Sequence, residues 1–167
     1  MKICIFSHTF PRFPGDVATP FMENLARAFG ELGHEVYVLV PFDPEIKTQN
    51  RGPYRLLTYK YIFPNRLHVL GYSRTFKAGK TIGLATYLIA PFMYLFGFIA
   101  LLRLVKKEKI DIINPHWLIP NGFLTRLVKL VTSVPYVASI PGADVHMGSE
   151  NQVFKGMVGF ASEGADY

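Results

Sequence analysis

Two spacings of apolar residues alternate along the chain. "KICIF" near the start and "EVYVLVP" at 35–41 are unbroken apolar runs of strand length, the pattern of strands buried on both faces. Between them, Phe21, Leu25, Ala28, Phe29 and Leu32 recur at helical spacing, so a helix is expected with that face inward. Thr19 and Pro20 mark its start as a hydroxyl cap followed by proline at the first helical position, and Gly33 marks its end. "HTFPRFPGDVA" is too rich in proline and glycine for regular structure and reads as the connecting loop.

The same alternation continues. Residues 43–54 read as a loop, and "RLLTYKYI" and "LHVL" as short strands. "IDIINP" is a strand stopped by proline. Pro120 is expected to open a helix through about Thr132, burying Leu124, Leu127, Val128 and Val131. "PYVASI" follows as another strand, and a short helix is expected over 151–162. Strands alternating with helices define an α/β fold: a Rossmann-like, doubly wound, mostly parallel sheet with helices on both faces. Ligands of such sheets collect at the carboxyl ends of the strands. The loops 8–18, 114–121 and 140–148 fall there.

The segment Thr81–Leu102 interrupts this rhythm with 22 uncharged residues. A bilayer span needs about 20. Basic residues flank both ends, so it lacks the usual charge bias of a span. The strands on either side belong to one sheet, which a span would divide between the two sides of a membrane. A crossover helix pair on the sheet is therefore expected, divided or kinked at Pro91. Gly79, Gly83, Thr86, Ala90 and Gly97 would form its close-packing stripe.

Charge sharpens the picture. Residues 46–107 hold eleven Lys or Arg and no Asp or Glu, whereas the whole chain of 167 residues carries a net +6. Such asymmetry points to an anionic partner. Because the basic stretch adjoins an apolar run rather than interleaved aromatics, an anionic membrane surface is expected and nucleic acid is not. Cys4, the single cysteine, reads as a buried apolar residue of a strand in a reducing, cytoplasmic protein. No secretory signal is recognisable, and His34 and His68 read as surface residues.

Candidate chemistry sits at the strand ends. Gly15 precedes a helix start, where free N–H groups and the helix dipole attract phosphate. His116 could hydrogen-bond a sugar or a phosphate, and Trp117 could stack on a sugar ring. Gly142 and Asp144 stand in the last of the three loops, where Asp144 suits a hydroxyl. A zinc site from His116, Asp144 and His146 lacks any close ligand spacing. Dinucleotide, P-loop and nucleophile-elbow motifs are absent.

At three segments, "FPRFPGDVATPFMENLARAFGELGHEVYVLVP", "INPHWLIPNG" and "PYVASIPGADVH", the chain resembles the amino-terminal domain of family 4 glycosyltransferases of the GT-B fold. The resemblance implies a metal-independent enzyme, without cofactor, that moves sugar from a nucleotide-sugar to an acceptor with retained anomeric configuration. It places Gly15, Asp16 and Gly142 on the donor diphosphate or sugar side, and His116 and Asp144 as the catalytic candidates. It also implies that the chain is an acceptor-side domain, cut before its last strand, whose donor-binding partner domain lies beyond Tyr167. Such a fragment is expected to be inactive alone and open to self-association through its uncovered sheet edge. One departure stands out: the family's usual histidine before the glycine of the last loop is here Pro141, with His146 a few residues on. An interaction of that kind is worth about 3 kcal/mol in a closed site. The expected function is transfer to a lipid-linked or other membrane-surface saccharide acceptor by a peripheral protein of the cytoplasmic face. The alternative is a non-catalytic membrane-binding module that kept the fold.

Overall fold

A computed structural model describes residues 1–46, 52–72, 84–142 and 152–167, with side chains from 88 onward in the long helix. Strands β1 (Lys2–Phe6), β2 (Glu35–Pro41), β3 (Arg55–Tyr59) and β4 (Ile112–Pro115) form one sheet in the order β3-β2-β1-β4, and every pairing is parallel. The fold is the expected α/β sheet flanked by helices. Side-chain alternation divides its two faces. Ile5, Val36, Val38, Val40 and Leu56 pack under helix α1 (Pro20–Glu31). Cys4, Phe6, Tyr37, Leu39 and Ile113 pack on the other side, under helices α2 (Leu84–Glu108) and α3 (Phe123–Thr132).

"PYVASI" forms no continuous strand. Two parallel bridges, Ile113 with Tyr136 and His116 with Ser139, hold it beside β4 as an irregular outer edge. The carboxylate of Asp166 takes the Tyr136 N–H at 2.9 Å, a donor that a regular strand would give to a neighbour. "LHVL" is not a strand either. A single 3-10 turn, Asn65–Leu67, occupies part of it, and the Tyr61 hydroxyl both accepts from Leu70 N (2.8 Å) and donates to Leu70 O (3.1 Å). A phenol thus satisfies backbone groups that a ladder would otherwise need. His68 lies not at the surface but buried between the rings of Phe42 and Tyr61, at 5.0 and 4.4 Å.

Helix α1 ends in a complete Schellman motif. Gly33 has φ 85, with Gly33 N bonded to Gly30 O and His34 N to Phe29 O. Its start departs from expectation. Thr19 is left-handed and its side chain caps nothing; its hydroxyl lies 3.4 Å from that of Thr9, so the loop claims the group that would have capped the helix. The buried stripe is also turned by one residue. Met22 and Ala26 are buried, Leu25 and Phe29 partly so, while Phe21, Ala28 and Leu32 are exposed. Helix α3 begins at Phe123 rather than at Pro120. A π-type turn over Leu118–Gly122, with Ile119 extended, precedes it. Thr125 takes an inward place and Val131 is exposed. Helix α4 (Gln152–Glu163) matches the expected terminal helix and packs on α3.

The apolar segment is one helix, not a pair. Pro91 sits inside α2 on its exposed side, where the lost backbone donor faces no packed neighbour strand. Leu88–Glu108 is long and apolar enough to cross a bilayer by length and composition, yet α2 lies against β1, β2, β3 and α3. It is the crossover on the sheet that topology demands, and no clear span results. Of the small residues, Gly97 is buried: a Cβ there would stand 3.1 Å from Tyr59 Oη and 3.2 Å from Leu124 Cδ1. Gly79 and Gly83 lie outside the described residues.

Packing of α2 gives a direct test. Leu101 is fully buried and Leu95 is 53% exposed. Leu101→Ala should cost about 2–5 kcal/mol in chemical denaturation. Leu95→Ala should stay within about 0.5 kcal/mol of the parent. Equal effects would contradict a helix seated on the sheet by this face.

Candidate functional site

The carboxyl ends of β1 and β4 are joined by the backbone bond His116 N to Phe6 O (2.9 Å), and Trp117 N bonds Ser139 O (2.9 Å). The loops after β1, β4 and the 135–139 edge therefore start from one line along the sheet. Trp117 has φ 67, a left-handed value that is uncommon for a bulky residue and turns its ring out of the strand direction. Its indole lies 4.6 Å from the His8 ring and 6.2 Å from that of His116. Phe21, at the start of α1, completes the group at 6.3 Å from His116 and 6.4 Å from Trp117.

Polar groups in this crevice are tied together. Asn114 Nδ2 donates to Val137 O (2.7 Å) and Ser139 Oγ (3.1 Å), and its Oδ1 lies 2.9 Å from His116 Nε2. Asn121 Nδ2 donates to His116 O (2.6 Å) and lies 3.1 Å from His8 Nδ1. Burial pushes the pKa of both His8 and His116 down to about 4, because the charged form loses hydration there. Both rings are therefore neutral near pH 7.

The loop after β1 is braced separately. Arg12 donates through its backbone N (2.9 Å) and Nε (2.7 Å) to Asp16 Oδ2, and Nη2 approaches Oδ1 at 3.1 Å. Ala18 N also donates to Oδ1, and Arg12 Nη1 pairs with Glu45. The guanidinium carbon lies 5.5 Å from the Phe13 ring centroid and 5.9 Å from that of Tyr72. Hydrogen bonding to Arg12 holds the Asp16 carboxyl down at about 2. Asp16 is buried and its oxygens are occupied by its own loop, so its direct contribution is to the loop's shape.

Of the residues expected from sequence, His116 is in the crevice and 3% exposed. Gly15 lies in the braced loop with φ 83, and Gly142 is exposed with φ 106. A Cβ at either would meet nothing within 4 Å, so both backbones are open to approach. Asp144 and His146 lie outside the described residues. Among the described residues, no three His, Cys, Asp or Glu side chains are grouped to hold a metal ion. Sequence reasoning passed over His8, Phe21, Asn114 and Asn121. His8 was findable, because it follows β1 at the same sheet edge as His116.

This architecture, an all-parallel sheet with a polar crevice at its carboxyl edge, defines a Rossmann-like ligand-binding domain. The family model described as glycosyl transferase 4-like matches residues 13–167, and the chain belongs to that family. Its function is of glycosyltransferase type. No curated protein matches the chain.

The Arg12–Asp16 brace predicts a pH signature. Asp16 has a folded pKa of about 2 against an ordinary 3.8. Its stabilisation is complete above the unfolded value and disappears as pH falls from about 4 towards 2. Asp16→Asn should lower stability at pH 7 by about 2 kcal/mol, and the gap to the parent should close in that acid window. Thermal denaturation from pH 7 to pH 2 checks it; a gap independent of pH would refute the brace.

Proposed function

We propose that the chain forms the acceptor side of a retaining, nucleotide-sugar-dependent, metal-independent glycosyltransferase of GT-B organisation. Its acceptor is lipid-linked or lies at an anionic membrane surface, and the protein works peripherally on the cytoplasmic leaflet. The retaining course and the nucleotide-sugar donor follow from the family resemblance. In this reading the open backbones of Gly15 and Gly142 meet the donor, and His116 with Asp144 acts at the reacting sugar.

The observation that carries the membrane reading is the uncovered side of α2. Only 28% of its apolar window is buried. Leu88, Phe92, Leu95 and Phe96 are exposed, and Arg103, Lys106 and Lys107 stand exposed at the helix end. A hollow of about 530 Å³ runs beside this face between Phe92, Phe96 and the exposed Phe63, with Lys60 in its wall. The loop that carries Phe63 returns to the crevice, where Tyr72 N donates to His8 O at 3.2 Å. An acceptor with an apolar tail and a polar head would suit that continuity. Each basic residue near an anionic leaflet contributes about 1 kcal/mol, and the apolar face adds burial, which together suffice for reversible docking.

A second reading, a binding module without transfer activity, is favoured by Pro141 standing where the family's histidine is expected.

Liposome co-sedimentation tests the docking. The protein should pellet with anionic vesicles more than with neutral ones, and less as salt rises. Phe92→Ser combined with Leu95→Ser should reduce pelleting at least several-fold without unfolding the chain. Equal, salt-insensitive pelleting with both vesicles would refute it. Transfer by the full-length gene product, assayed with a panel of nucleotide-sugars and membrane extract, separates enzyme from module.

A further inference from the structure

Two buried polar atoms in the crevice have no hydrogen-bond partner among the described residues: His116 Nδ1 and Asn121 Oδ1. The surrounding bonds fix what each can do. Asn114 uses its Nδ2 on Val137 O and Ser139 Oγ, so the atom facing His116 Nε2 is an oxygen. An amide oxygen only accepts, so Nε2 carries the proton and Nδ1 is left with a bare lone pair. Asn121 spends its Nδ2 on His116 O and His8 Nδ1, so its unpartnered atom is likewise an acceptor. His8, accepting at Nδ1, carries its own proton on Nε2.

The crevice is therefore uncharged and short of donors. A buried acceptor left unpaired costs about 1–3 kcal/mol, which a ligand supplying an O–H or N–H would recover. Phosphodiester and carboxylate oxygens are only acceptors at neutral pH and would face these lone pairs unfavourably. A hydroxyl carries a donor. Phe21 and Trp117 beside it offer apolar faces that suit the C–H side of a sugar ring. Phe21 is 46% exposed, and outward rotation of its ring meets solvent.

We infer that this crevice binds hydroxyl groups of a neutral saccharide or polyol, which donate to His116 Nδ1 and Asn121 Oδ1, and that Asn114 is the positioning residue that holds His116 in the accepting tautomer. The assignment of these hydroxyls to a reacting sugar or its acceptor rests on the glycosyl-transfer reading.

Nitrogen NMR of the chain labelled with ¹⁵N-histidine tests the inference. His116 should show an unprotonated Nδ1 and a protonated Nε2 at pH 7. Asn114→Leu should mix the two tautomers. If that variant does not fold, the parent spectrum still decides, because a protonated Nδ1 there overturns the inference. Addition of glucose or myo-inositol should shift the His116 Nδ1 resonance, whereas acetate, which has only acceptor oxygens at pH 7, should not. A response to acetate alone, or to none of the three, overturns the hydroxyl site. The two readings fail separately. An inactive full-length protein whose Nδ1 still responds to sugars defeats only glycosyl transfer, and an active one with a silent Nδ1 defeats only this site.

Discussion

The parallel pairing of β4 with β1 governs most of what this chain does. Parallel neighbours cannot be joined by a tight turn, so the chain leaving β3 must return to the opposite end of the sheet before β4 begins. That return is α2. Its apolar length is therefore tied to the sheet by connectivity, and its inward side is consumed in covering Cys4, Phe6, Tyr37, Leu39 and Ile113. The same pairing brings Phe6 and His116 to one level, which sets the loops after β1 and β4 side by side. Crevice and crossover are two results of one ladder.

The electrostatics divide by distance from the sheet edge. At the end of α2, Arg103, Lys106 and Lys107 are exposed, and charges so placed set up a field that extends into solvent. The crevice itself is neutral, because burial keeps His8 and His116 unprotonated. Near it, the charged pair Arg12–Asp16 is closed on its own loop. Charge and the crevice's unpaired lone pairs are thereby set in different parts of the molecule.

Strands β1, β2 and β4 were legible because burial on both faces demands continuous apolar runs, and no other local structure competes for five such residues. Of the two expected strands that are not continuous, 67–70 has its Leu70 backbone groups taken by the Tyr61 hydroxyl, whereas 135–140 keeps backbone bonds to β4 and gives its outward Tyr136 N–H to the Asp166 carboxylate. Neither partner is adjacent in sequence, so periodicity could not reveal them. The rotation of α1 has a similar origin. Phe21 reads as core by hydropathy but sits at the crevice with Trp117 and His116. Strand-end placement puts His116 and Gly15 in the loops at the carboxyl edge of the sheet, where they lie. It did not find Asn114 or Asn121, whose contributions arise from contacts with Ser139 and His8, the latter 113 positions away.

Gly97 has an effect out of proportion to its size. The helix rests against Tyr59 and Leu124 at that point, where only a hydrogen fits without displacing them. A cylinder that touches its support at one notch has its roll angle fixed there. The missing methyl group thus acts as a key in a slot, and it decides which flank of a uniformly greasy rod is turned to the outside world.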